Sequence, residues 1–353
     1  MHEPGRRAPA WVSGMPREAA PLPDELRGEM FTVREAARRG VTRGRMSRPD
    51  LTTPFRTVRR PREATPPSGS AASSRSNPSA TSPASPDAHD PRELAAAYAL
   101  RQSPDQVVSH TTALLLWGAP LPSTVEREQR IHVSSTGSAR PRTRHTIPHQ
   151  IYAGRAPVTM LGDLHLTMPA VSWVMSAPLL GLDALVAAGD YLVTGTEPFD
   201  GRPPLTTVAE LTATVAARPG DRGIRRAREA LELVRYGALS PRETRGRLML
   251  VRAGLPEPEL NYTVVDADDR AVAMVDLAFA RFRTAIEYES LLHLDPEKFR
   301  RDIRKQQELE AIDWAMHRLT ADDVDANLRT PASRAAVARI RATLLARGWR
   351  PER

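Results

Sequence analysis

Cysteine is absent from the 353 residues. That excludes a disulfide framework and any thiolate metal site. It fits a reducing compartment, so a cytoplasmic location is expected. Lysine is almost absent too: of 50 basic residues only Lys298 and Lys305 are lysines. No apolar run reaches the roughly 18 residues of a membrane span, so no membrane partner is expected. The stretch Met1 to Arg27 lacks an apolar h-region and does not read as a secretory signal.

What is present is a chain long enough for two or three domains. Hydrophobic residues make up 41%, enough for real cores. The formal net charge of +8 implies an anionic partner, with nucleic acid first. Arginine in place of lysine, with much Ala and Pro, also looks like base composition of the genome. The position of the charge therefore weighs more than its total.

Composition divides the chain. Residues 1–28 read as a disordered N-terminus. Residues 61–91 are read as a disordered linker: the stretch Pro66 to Pro86 is almost wholly Ser, Pro, Ala and Gly, which bury too little apolar surface to offset chain entropy. Between them, 29–60 reads as a helix with Thr32 as N-cap, a turn at Gly40, a second helix from Thr42 to Asp50, and a strand from Phe55 to Arg59. That is the outline of a small winged helix-turn-helix; a capping subdomain with exposed arginines is the alternative. Residues 92–222 read as an α+β middle domain without a chemical motif. Its histidines, His110, His132, His145, His149 and His165, share no element at metal-ligand spacing and read as surface or core residues.

The last unit, 223–353, is the most legible. Ser240-Pro241-Arg242-Glu243 is a capping box with Pro at the first helical position. Strands follow at 261–265, 271–279 and 284–288. A helix runs from Asp295 to about Ala311, and a fourth strand from Trp314 to Leu319. Thr320 is expected to cap a further helical stretch, and a terminal helix covers 335–347. The α-β-β-β-α-β order places Asp276 inside the second strand and Glu287 near the end of the third. Carboxylates inside apolar strands are costly unless compensated, and two that converge invite a divalent cation.

This stretch resembles the PD-(D/E)xK superfamily of restriction-endonuclease-like proteins. More specifically, it looks like uncharacterised actinobacterial proteins whose C-terminus is similar to very-short-patch-repair endonucleases. The matching residues are Ser240-Pro241-Arg242-Glu243, Gly254-Leu255-Pro256, Val275-Asp276-Leu277-Ala278, Ile286-Glu287-Tyr288-Glu289, His293 and Phe299-Arg300-Arg301-Asp302-Ile303. The resemblance implies Asp276 and Glu287 as ligands of Mg²⁺ (or Mn²⁺), with Glu243 as the acidic residue of the first helix. Glu289 and His293 fall at the family's acidic-x3-His positions. The superfamily's lysine would stand where this chain has Glu289, so His293 or Lys305 must handle the proton. The helix-turn-helix start and Ser109-His110-Thr111-Thr112-Ala113 look like relatives of AbiEi-type antitoxins.

Each residue also has a plainer role open to it. Glu243 serves as the N3 glutamate of a cap, Glu289 and His293 as solvated loop residues, and Arg300, Arg301 and Arg304 as a solvated face rather than a phosphate-contacting one. The expectation is a Mg²⁺-dependent endodeoxyribonuclease without a small-molecule cofactor. The alternative is an inactive DNA-binding regulator or antitoxin, with a toxin or other defence protein as partner.

Overall fold

The computed structural model describes residues 19–62, 90–137, 140–152, 154–196, 201–289 and 296–351. The N-terminal unit begins earlier than its composition implies. Leu22 and Leu26 are buried against Phe31, Ala36 and Met46, which corrects the expected disorder for residues 19–28. Leu22 and Leu26, before and at the end of a short 3-10 turn at Asp24–Leu26, are enough to dock the segment. Strand β1 (Phe31–Thr32) leads into helix α1 (Val33–Arg38), where the Thr32 hydroxyl accepts the Glu35 amide as expected. Helix α2 is a single turn, Arg43–Met46, not the longer helix expected to Asp50. Pro49 and Asp50 end it, and the chain turns into β2 (Leu51–Thr52) and β3 (Val58–Pro61). The three strands form one sheet in the order β1-β3-β2. The expected Ser/Pro linker lies outside the described residues between 63 and 89.

The middle unit is a mixed five-stranded sheet with helices packed on it. Helix α3 (Pro91–Ala99) starts at an Asp90 cap with Pro at the first position. Then come β4 (Gln106–Val108), α4 (His110–Leu116), α5 (Ser123–Glu126), β5 (Ile131–Ser135), β6 (Thr146–Gln150), β7 (Val158–Leu161) and β8 (Leu164–Thr167). Strand order is β6-β5-β4-β8-β7. Phe55 and Val58 of the N-terminal unit share the core of Leu94, Tyr98, Ile131 and Leu166, so the two units are packed together.

Helices α6 (Pro169–Ser176), α7 (Leu182–Thr194), α8 (Val208–Ala216) and α9 (Ile224–Leu233) build the largest core. Helix α9 was grouped by sequence with the C-terminal unit, but Ile224, Ala227 and Ala230 are buried with Leu185 and Leu192 in this core. Its arginines occupy the outer face. At Gly189 on α7, an added Cβ would meet the Val234 methyl at 2.6 Å and the Trp173 indole nitrogen at 3.0 Å. Gly189→Ala is therefore expected to lower stability by about 1–3 kcal/mol through overpacking, read as a lower denaturation midpoint. An unchanged midpoint would show that α7 and α9 can move apart freely.

The C-terminal unit follows the α-β-β-β-α-β order: α10 (Pro241–Arg252), β9 (Glu259–Val265), β10 (Ala271–Phe279), β11 (Thr284–Tyr288), α11 (Pro296–Ala311) and β12 (Ala315–Leu319). Its sheet has the order β12-β11-β10-β9, with β11 and β12 parallel and the other pairs antiparallel. Helix α12 (Pro331–Ala346) closes it and starts four residues earlier than expected, because Thr330 and Pro331 supply cap and first turn. No helix starts at Thr320. Its amide and hydroxyl both donate to the Asp323 carboxylate, which makes a turn instead. Among the described residues no helix is long and apolar enough to cross a membrane.

Candidate functional site

The antiparallel register of β10 and β11 pairs Leu277 with Ile286. One step further along, Asp276 stands opposite Glu287. Directly opposed residues share a face, with Cβ atoms roughly 4.5–5.5 Å apart. Here the carboxylates take over hydrogen bonds from the ladder. The Tyr288 amide donates to Asp276 Oδ2 at 2.7 Å, and the Asp276 amide bonds the Glu287 carboxylate. The strands thus open into a fork whose two prongs end in carboxylates.

Lys305 reaches this fork from α11. Its Nζ lies 2.6 Å from Glu287 Oε1 and also donates to the Met274 carbonyl. Burial pushes the Glu287 carboxyl up, and Asp276 pushes it the same way, while the Lys305 hydrogen bond pulls it back. Glu243, at the start of α10, is buried. Its Oε2 accepts from the Leu239 amide at 2.8 Å and from Asn261 Nδ2 at 2.6 Å. The cap is therefore real but shifted: the carboxylate takes the amide before Ser240, while Ser240 Oγ accepts the Glu243 amide. Burial raises the Glu243 carboxyl as well, with a contribution from Asp276. Asp276 thus acts on both glutamates, Glu243 and Glu287.

A cleft of about 510 Å³ opens over two of the three carboxylates, lined by Glu243, Asp276, Tyr288, Arg242 and Arg245 on one side and the Pro120–Pro122 loop and α7 on the other. The Arg242 guanidinium lies 5.0 Å from the Tyr288 ring centroid. Asp190 and Arg247 anchor α10 from behind. Both side chains are 1% exposed and meet at 3.2 Å, and Thr244 and the Arg235 amide also donate to Asp190. Sequence reading missed this pair, since an Asp in an apolar helix carries no sign of its partner 57 residues on.

The other expected residues sit apart. Glu289 pairs with Arg318 at 2.6 Å and does not join the carboxylate set. Arg300, Arg301 and Arg304 are exposed on α11, and Arg301 lines a groove with Lys305 beside Met274. His293 lies outside the described residues.

His110, His132 and His145 are buried, hydrogen-bonded histidines, as expected, but their grouping was not legible. His110, His132 and His149 come together, although no single element carries them. Their rings stack within 21–28° of parallel, with centroids 3.8 Å apart for His110 and His149. His132 Nδ1 faces His149 Nε2 at 2.8 Å, and His110 Nδ1 faces Ser109 Oγ at 2.8 Å. Strands β5 and β6 run parallel with His132 beside Ile147, which puts His149 on the same face. Only the tertiary pairing reveals this. His145 and His165 do remain apart, His145 against Phe55 and His165 bonded through its backbone to Gln102.

Burial pushes His132 down to about 3, helped by His149 and Arg130. It lowers His110 and His149 in the same direction. The unfolded chain, with histidines near 6.5, then takes up protons first on acidification. Stability is complete above about pH 6.5 and is lost as pH falls toward 3. Chelator-treated protein is expected to lose about 2 kcal/mol at about pH 5 from His132 alone. Urea midpoints against pH check this, and His132→Gln should flatten the slope.

No protein-family profile matches the chain, and no solved structure matches it. Two uncharacterised proteins of Mycobacterium tuberculosis, from two strains, are 35% identical to it over 117 residues. The match covers 33% of this chain and 43% of theirs, so less than half of each relative is represented.

Proposed function

We propose that the C-terminal unit is a Mg²⁺-dependent DNA endonuclease of the restriction-endonuclease-like, PD-(D/E)xK kind. The observation that carries this reading is the fork: Asp276 and Glu287 one step beyond the Leu277–Ile286 pair, Lys305 on Glu287, and Glu243 beside Asp276 in the cleft. Two carboxylates plus water match what Mg²⁺ takes, since it prefers hard oxygen donors and keeps much of its hydration. When bound, the ion would polarise the phosphodiester and lower the pKa of a coordinated water.

The remaining work falls to the chain itself. Asp276 and Glu287 would hold the ion, and the Tyr288 amide keeps Asp276 oriented toward the cleft. Lys305 takes the place of the superfamily's lysine from a different element. Its ammonium can stabilise the charge that grows on the phosphoryl oxygens or protonate the departing 3′ oxygen. Arg242 and Arg245 line the cleft wall, and Arg300, Arg301 and Arg304 extend the basic surface beside Lys305, where DNA phosphates would lie.

Purified protein is expected to nick supercoiled DNA with Mg²⁺ or Mn²⁺, and Asp276→Ala is expected not to. Equal cleavage by both proteins would overturn the assignment.

A second reading rests on the same contacts. Lys305 already neutralises Glu287, and Glu289, at the lysine position, is paired with Arg318. A chain of this kind could be a DNA-binding regulator or antitoxin that has kept a nuclease fold. Its DNA surface would then be the winged-helix-like N-terminal unit. Arg45 is tied to Asp50 and Arg39 to Glu35, while Arg38, Arg43 and Arg48 are among the exposed arginines of this unit and carry no such pair among the described residues. Metal-independent binding lost on replacing those three by alanine would favour this reading.

A further inference from the structure

We propose that His110, His132 and His149 form a binding site for a divalent transition ion of the zinc class, separate from the carboxylate fork. The ligand atoms of the three side chains all lie within 4.8 Å of one another, the only such trio among the described residues. His132 Nδ1 and His149 Nε2 aim at each other across 2.8 Å. Zinc–imidazole bonds of about 2.0–2.1 Å at a tetrahedral angle need nitrogens roughly 3.3 Å apart. Coordination would need these nitrogens to part by about half an ångström and the stacked His110 ring to turn so that its in-plane lone pair meets the same point.

The surroundings are those of ligating histidines. Ser109 Oγ holds His110 Nδ1 and is itself tied to Ser134 Oγ at 2.7 Å, which fixes the ring and presents Nε2. The Thr112 hydroxyl accepts the His132 amide. His110 adopts φ 55°, a left-handed conformation unusual for a non-glycine residue and one that collects at functional sites. Burial keeps the imidazoles neutral, the form that coordinates. Three nitrogen donors with no oxygen among them suit Zn²⁺, Co²⁺, Ni²⁺ or Cu²⁺ and do not suit Mg²⁺. His110 and His149 also line a cleft of about 370 Å³, walled by Arg155, Arg218 and Asp221. A fourth coordination position would face that cleft, as in sites that keep one position open for water or a ligand.

The test uses the full chain stripped with chelator, then given zinc alone. Zinc at micromolar concentration is expected to raise the melting temperature of the wild type and of the Asp276→Asn/Glu287→Gln double variant alike. His149→Ala, chosen because His149 is only half-buried, is expected to lose the rise while melting normally without metal. Magnesium is expected to give no rise in the double variant. A zinc effect that survives His149→Ala, or disappears in the carboxylate variant, overturns the site. Should His149→Ala fail to fold, X-ray absorption at the zinc edge of the loaded wild type decides. Imidazole scattering from about three nitrogens supports the proposal, and an oxygen-only shell refutes it.

Discussion

Asp190→Ala is expected to destabilise the protein by about 3–5 kcal/mol, the cost of taking the buried counter-charge from a buried guanidinium and leaving it only the partly exposed Glu257. Arg247 is 1% exposed and cannot reach water in the folded state. Its Nη1 keeps Glu257 at 2.8 Å and its Nη2 keeps the Leu233 carbonyl, but its Nε already has no partner. Burial raises the Asp190 carboxyl, and Arg247, the Arg235 amide and Thr244 pull it back. Alanine at 190 therefore strands three donors at once. A double-mutant cycle with Arg247→Met separates the charge from the packing. The double variant should be more stable than Asp190→Ala alone, because no buried charge remains. Equal stability of the two would mean that Glu257 alone satisfies Arg247. The change should also reach the cleft. Asp190 on α7 fixes α10, and α10 carries Glu243, so the position of that carboxylate depends on a bond made behind it.

Much of the C-terminal unit was legible because local and tertiary signals agree there. Ser240 and Pro241 mark a helix start that needs no distant partner. The strands alternate around a turn at Asp268–Asp269, and the carboxylates at 276 and 287 stand out against apolar neighbours. Lys305 was visible only as one of two lysines; that its Nζ meets Glu287 depends on how α11 crosses the sheet. The middle sheet was much less legible. Strands β7 and β8 were not anticipated, since Val158–Leu161 is short and half-exposed and pairs only with its neighbour. The histidine stack was hidden for a stronger reason. Its members come from one helix start and two strands, and only the parallel pairing of β5 and β6 brings them together. At the other end, Leu22 and Leu26 looked too sparse to order a segment, but Phe31 and Met46 give them a surface to cover.

Lys305→Met is expected to give the most informative result at the fork, because it should move two measurements in opposite directions. Lys305 Nζ sits 2.6 Å from Glu287 Oε1, so in the metal-free protein the ammonium supplies the positive charge that a cation would bring. Removing it leaves Glu287 beside Asp276 without its ammonium partner. Like charges that close raise the proton affinity of both carboxylates and equally their affinity for a divalent ion. Binding of Mn²⁺, followed by calorimetry, should therefore tighten or hold steady. Cleavage of supercoiled DNA should fall by about 10²-fold or more, the usual loss when a positioned proton donor or charge stabiliser is removed. Methionine preserves the side-chain length that packs against Met274, which limits structural loss. Asp276→Ala should lose both metal binding and cleavage. A Lys305→Met protein that cleaves normally would confine Lys305 to neutralising Glu287. One that loses metal binding would instead make Lys305 a support for the fork itself, since the opposed strands could then no longer hold Asp276 and Glu287 in register.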